Sequence, residues 1–231
     1  MRRIAVLISN TGSGSNLQAL IDGQAEAYNG QIVCVVSDKA DGYGLTRARE
    51  ADLPVEVLDY TEYQRQGKPR THFEEDLARK LQTYSPDLIV LAGWTLDLSE
   101  TFLRYFEWRV LNLHPGLLPD AGRHKYKLPD GSFADPCIGL SGANAIQAVL
   151  AAKQIYAGSS VHVVTPEVHE GPVLARAVVK VELNDTMMSL YERIKGEEHQ
   201  ALLRVMRELC VETGEKGVSD EHSRSPVRSR D

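Results

Sequence analysis

Short runs of uninterrupted apolar residues, separated by stretches of helical periodicity, constrain this chain more than any other feature. The runs are IAVLI at 4–8, IVCVV at 32–36 and LIVLA at 88–92, with VEVL at 55–58 broken by Glu56. A strand that is apolar at every position is buried on both faces, as central parallel strands are. SNLQALID (15–22), YGLTRAREA (43–51) and RTHFEEDLARKLQTY (70–84) supply the intervening helical patterns. In the last of these, Phe73, Leu77, Leu81 and Tyr84 make one apolar stripe. Strand–helix alternation of this kind predicts an α/β fold, a doubly wound and mostly parallel sheet. RVLNLH (109–114) adds another strand to it.

The second half of the chain reads differently. Residues 120–140 lack periodicity and predict a long loop, with a hairpin at LPDGSF (128–133). SGANAIQAVLAAK (141–153) predicts a helix. SSVHVVT (159–165) and PVLARAVVKVEL (172–183) alternate in and out and predict an antiparallel finish to the sheet. A long amphipathic C-terminal helix follows at 185–209, with Asp185 near its start. One domain over 1–209 and a polar, disordered tail over 210–231 complete the expectation.

Bulk composition narrows the function classes. A net charge of −6 argues against general binding to nucleic acid, which needs surplus Lys and Arg. The three cysteines, Cys34, Cys137 and Cys210, are scattered without CxxC spacing. They predict neither a disulfide framework nor a metal site. No run approaches the roughly 20 apolar residues of a membrane span, and MRRIAVLIS is too short for a signal peptide. A cytoplasmic protein without membrane contact is the expectation, as a monomer or a homodimer.

Two places carry chemistry. RVLNLHPGLLP ends a buried strand by presenting Asn112 and His114 on one face before Pro115-Gly116 stops it. Ligands of such sheets bind beyond the carboxyl ends of the strands, so both groups are placed to face a cleft. A helix cap and a satisfied histidine would be the plain alternative. The loop SNTGSGSNLQ (9–18) follows the first strand and opens a helix. Gly12 and Gly14 begin a GxGxxG pattern, but Leu17 occupies the third glycine position, so no full dinucleotide fingerprint is present. The loop fits a single phosphate monoester. A simple turn with Ser15 or Asn16 as N-cap would need no ligand.

With these residues in view, the chain resembles the phosphoribosylglycinamide formyltransferase family over residues 3 to 209. Six segments come in family order: VLIS…GSGSNLQALID, VVSDKADGYGLTRA, PDLIVLAGWTLDLS, LNLHPGLLP, SSVHVVTPEVHEGPVL and YERIKGEEH. The resemblance implies transfer of a formyl group from 10-formyltetrahydrofolate to the amine of glycinamide ribonucleotide in purine synthesis. That reaction proceeds by direct attack and calls for neither a Ser or Cys nucleophile nor a metal. Asn112 and His114 are implied as catalytic: the amide donates to the oxyanion and the imidazole moves a proton. Gly14, Ser15 and Asn16 are implied to hold the ribose phosphate, with Arg70 and Glu198 as further substrate contacts. Trp94, Thr95, Leu96, Leu98, Thr165, Glu167 and Val168 are implied to line the folate pocket, and Trp94 also fits plain core packing.

The chain departs from the family pattern in three places. His169 in PEVHEGPVL stands where the family carries its third catalytic residue, an aspartate, and inherits that catalytic position here. An aspartate would favour a charged His114, and an imidazole would not. The first loop is longer by NT. The 120–140 segment carries an insertion with Arg123, His124, Lys125 and Lys127, which fits either closure over an anion or plain solvated charge. Formylation of another amine, such as a nucleotide-linked amino sugar, and a catalytically weak folate-binding relative are the competing expectations.

Overall fold

The computed structural model describes residues 1–9, 13–24, 26–120, 125–134, 137, 139–140, 142–167 and 169–211. Its strands are β1 (Arg2–Ile8), β2 (Gly30–Ser37), β3 (Val55–Val57), β4 (Leu88–Leu91), β5 (Val110–His114), β6 (Tyr156–Val163) and β7 (Val173–Lys180). They form one sheet in the order β3-β2-β1-β4-β5-β6-β7. The first five are parallel; β6 and β7 add antiparallel strands at one edge. The helices are α1 (Ser15–Gly23), α2 (Tyr43–Glu50), α3 (Tyr60–Arg65), α4 (Arg70–Thr83), α5 (Glu100–Leu103), α6 (Gly142–Ala151) and α7 (Met187–Leu209). The expected doubly wound fold and long last helix are therefore present.

Strand periodicity explains the apolar runs of β1, β2 and β4, whereas β3, at the edge of the sheet, is half-buried to exposed and not covered on both faces as expected. In β1, Ile4, Val6 and Ile8 enter a core with Leu17, Leu20, Leu45, Leu202 and Val205, beneath α1, α2 and α7. Ala5 and Leu7 point the other way, to Phe73, Leu77, Leu81 and Phe102 beneath α4 and α5. One short strand thus feeds both cores, and every position has to be apolar.

The same alternation aims β5. Val110 belongs to the α4–α5 core and Leu111 to the opposite one, so Asn112 and His114 follow Val110 onto the α4–α5 face. Beyond His114, the buried hydroxyl of Ser160 on β6 donates to Gly116 O (2.7 Å) and accepts from Leu118 N (2.9 Å). The chain after the strand is fixed as firmly as the strand itself.

Several sequence expectations shift. Strand β6 begins at Tyr156, three residues before the expected start, and α3 and α5 were not anticipated. Helix α7 is capped by a reciprocal Thr186–Ser189 pair rather than by Asp185, which instead accepts from Arg193 at 2.6 and 2.9 Å. Cys210, expected at the head of the tail, is buried in the α1–α7 core. The rest of the expected tail, from residue 212, falls outside the described residues, as do Arg123 and His124.

The hairpin at 128–133 is present, with Lys127 bridged to Phe133. Leu128 and Ala134 pack against Leu117, and Arg176 pins the base through Leu118 O (2.8 Å), Asp120 (2.7 Å) and the Tyr126 ring (4.2 Å). Lys125 and Lys127 point to solvent. Among the described residues, no helix is long and apolar enough to cross a membrane.

Candidate active site

A cleft of about 480 Å³ opens at the carboxyl ends of β4 and β5. Leu91, Trp94, Leu96, Leu98 and Val164 give it apolar walls, and Thr95, Asp97, Asn112, His162, Thr165 and His169 supply its polar groups. Strand pairing assembles the centre. Antiparallel register sets Asn112 opposite His162 and His114 opposite Ser160. His169 arrives on the turn after β6, its backbone in the left-handed region at φ 63°, which histidine tolerates better than bulkier residues. Its ring centroid lies 4.3 Å from that of His114 and 5.9 Å from that of His162.

The electrostatics of this centre follow from burial. Desolvation lowers the His162 pKa to about 4; a bond to Val163 O opposes the shift and His169 adds to it. Burial also lowers the His169 pKa, against the pull of Asp97. Both rings are therefore neutral at neutral pH. Among the described residues, His169 Nδ1 is buried without a hydrogen-bond partner. Asp97 is the one carboxylate among the described residues lining the cleft.

The loop between β4 and α5 forms the opposite wall and is fastened at both ends. Thr95 donates its N–H to Ser9 Oγ at 3.1 Å, joining the cleft to the start of the first loop. Ser99 donates its N–H (3.1 Å) and its hydroxyl to Glu74, a fully buried carboxylate that also accepts from Arg70 Nε at 3.1 Å. Arg70 thus contacts the wall of the cleft through Glu74, and its Nη2 is buried without a partner. Trp94 serves both readings made of it, stacking on Phe73 (centroids 6.4 Å apart) while lining the cleft.

A second polar group lies at the amino end of α1. Gly14 is the N-cap, left-handed at φ 67°, and among the described residues no side chain caps the helix. Ser15 and Asn16 therefore do not play the capping role the sequence allowed. A Cβ on Gly14 would come within 2.9 Å of Gly44 Cα, so only glycine lets the loop lie against α2. Arg47 holds that contact by donating to Ser13 O and Gln18 Oε1, both at 2.8 Å. Buried Asn16 accepts from Lys195 Nζ at 3.4 Å, and Lys195 also pairs with buried Glu198 one turn along α7. β5 lies two strands from β1 in the sheet, and α1 and α7 cover the face opposite the one that carries Asn112.

These observations meet an independent one. The formyl transferase family model matches residues 2–206. The phosphoribosylglycinamide formyltransferase of Escherichia coli K12 is 34% identical over 200 residues, covering 85% of this chain and 81% of that protein. The chain belongs to the phosphoribosylglycinamide formyltransferase family. The Saccharomyces cerevisiae formyltransferase is likewise 34% identical, over 88% of this chain and 94% of that protein. The trifunctional purine biosynthetic protein adenosine-3 of Gallus gallus is 36% identical, but the chain spans only 19% of its length. Among solved structures, glycinamide ribonucleotide transformylase 1 from Symbiobacterium toebii superposes with a TM-score of 0.76 at 37% identity, covering 91% of this chain and 88% of that one.

Within the formyltransferase fold, the residues singled out from sequence fall into three groups. Asn112, His169, Trp94, Thr95, Leu96, Leu98 and Thr165 line the cleft, and His114, which is 2% exposed, is buried against His169. Gly14, Ser15, Asn16 and Glu198 gather at α1 and α7, and Arg70 stands behind the cleft wall. Glu167 is exposed; its carbonyl accepts the Thr165 hydroxyl at 3.0 Å. Val168 lies outside the described residues. Sequence reading missed Lys195 as part of these groups, and it gave His162 and Asp97 no individual role in them. Only Lys195 left a signal, a cation one helical turn before Glu198.

Proposed function

We propose that this formyltransferase moves the formyl group of 10-formyltetrahydrofolate to the amine of glycinamide ribonucleotide, in the cytoplasm and as a step of purine synthesis. The observation that carries the proposal is the placing of Asn112 and His114 on one face of β5, at its carboxyl end, beside an open cleft. The apolar walls of that cleft, with Thr165 and backbone groups at its rim, suit a flat heteroaromatic ring. The folate supplies the electrophilic formyl carbon. The ribose phosphate rests at Gly14, Ser15 and Asn16 near Lys195, and Glu198 contacts the same substrate.

Asn112 Nδ2 donates to the oxygen that gains negative charge as the amine adds to the formyl carbon. His114 takes a proton from the attacking nitrogen and returns it to the folate nitrogen as the old C–N bond breaks. His169 packs its tilted ring against this imidazole as a neutral partner. The negative charge that steadies a transient imidazolium comes from Asp97, across the cleft.

The test is formyl transfer by the purified chain from 10-formyltetrahydrofolate, with glycinamide ribonucleotide and a nucleotide-linked amino sugar offered separately. Transfer to the ribonucleotide, lost in His114→Ala, is the expected result. Transfer to the amino sugar alone would replace the substrate assignment. Folate binding without transfer to either amine would overturn catalysis.

A further inference from the structure

We infer that His162 sets the orientation of the Asn112 carboxamide, and so decides that an N–H rather than a C=O faces the reacting carbon. Its catalytic consequence rests on the formyl-transfer reading above; its structural content does not. A carboxamide cannot be oriented by shape, because its oxygen and nitrogen ends are nearly the same size. A hydrogen-bond partner has to choose, and β6 supplies one directly opposite Asn112.

Asn112 Nδ2 lies 3.3 Å from His162 Nε2. The other ring nitrogen, Nδ1, lies 3.0 Å from Val163 O, which can only accept. Nδ1 therefore carries the proton, and the neutral ring presents a lone pair on Nε2. An amide turned the other way would set Oδ1 against that lone pair, two acceptors in contact. With Nδ2 toward His162, one N–H is satisfied by the ring and the second is free for the cleft. A charged ring would reverse the choice, drawing Oδ1 inward. Burial guards against this: His162 is 2% exposed, and desolvation keeps it neutral well below pH 7. His162 is thus a positioning residue acting through Asn112.

The decisive measurement on the unaltered protein is ¹⁵N NMR of the histidine rings at neutral pH. The expected result is His162 protonated on Nδ1 alone; an Nε2–H tautomer or a charged ring would overturn the inference. Kinetics supply a second test. His162→Phe keeps a ring without an acceptor and should lower kcat about 10- to 100-fold, with both KM values within about threefold. His162→Gln, whose Oε1 can accept, should recover part of the loss. Added to Asn112→Ala, His162→Phe should change kcat by less than about twofold, since the group it positions is gone. A folded His162→Phe with wild-type kcat, or an equal loss in both backgrounds, would refute the inference. If His162→Phe does not fold, the tautomer and the His162→Gln variant decide. If the wild type transfers no formyl group, the proposed function fails while the tautomer still decides the orientation.

Discussion

The surroundings of Asn112 and of Lys195 follow opposite plans. Around Asn112, two histidines are kept uncharged by burial, and the amide is held between strands. Around Lys195, a cation paired with a buried carboxylate on its own helix reaches across to Asn16 on another. The difference matches the charges each region would meet. On the proposed reading, a phosphate at α1 and α7 is charged before, during and after reaction, so fixed charge there would bind every state alike. The oxyanion exists only briefly, so the β5 end needs oriented dipoles that cost nothing to rearrange at that moment.

The contrast can be broken at its strongest point first. Asn112→Ala should lower kcat about 100- to 1000-fold, about 3–4 kcal/mol of transition-state stabilisation, with KM nearly unchanged. A loss carried mainly by KM in steady-state assays would erase the distinction between the two regions.

The next effect is on stability. His162 has a folded pKa near 4, below the ordinary 6.5, so between these values the unfolded chain binds more protons than the folded one. Stability is fully present above pH 6.5 and is lost as pH falls toward 4, by at most about 3 kcal/mol. Denaturant unfolding at pH 4.5 and 7.5 should show this loss, and His162→Phe should show less of it. An equal loss in both proteins would assign acid sensitivity to other groups.

Lys195→Met probes the other region. It should raise KM for the phosphorylated amine about tenfold, about 1.4 kcal/mol, and leave kcat within about threefold. A kcat-dominated loss would move Lys195 into the chemistry.

The smallest effect sharpens the histidine end. His169→Asp should raise turnover on glycinamide ribonucleotide several-fold at neutral pH, because a carboxylate beside His114 favours the charged ring that the reaction passes through. Asp97→Asn should lower wild-type turnover by a similar factor and matter less in the His169→Asp variant. No gain on restoring the acid, measured alongside, would mean that the imidazole pair is matched to its task.

Much of this was legible before any coordinates. Runs such as IAVLI and LIVLA announced two-sided burial, and RVLNLHPG announced a strand delivering polar groups to a sheet's rim, because side-chain alternation is a local property. The absence of an acid at 169 was equally plain. Short helices such as α5 escaped, since four residues carry no period. His162 escaped for another reason. Inside SSVHVVT it reads as one more alternating residue, and only pairing with a strand 50 positions away turns it toward Asn112.

By itself, the sequence determined the layered sheet, the glycine-bearing turn before α1 and the amide–imidazole pair, all consequences of local periodicity and steric need. Tertiary structure alone decided which groups share a hollow and which protons they keep. Charge state and orientation depend on neighbours brought from far along the chain and on the water they exclude, and neither is written in any one segment.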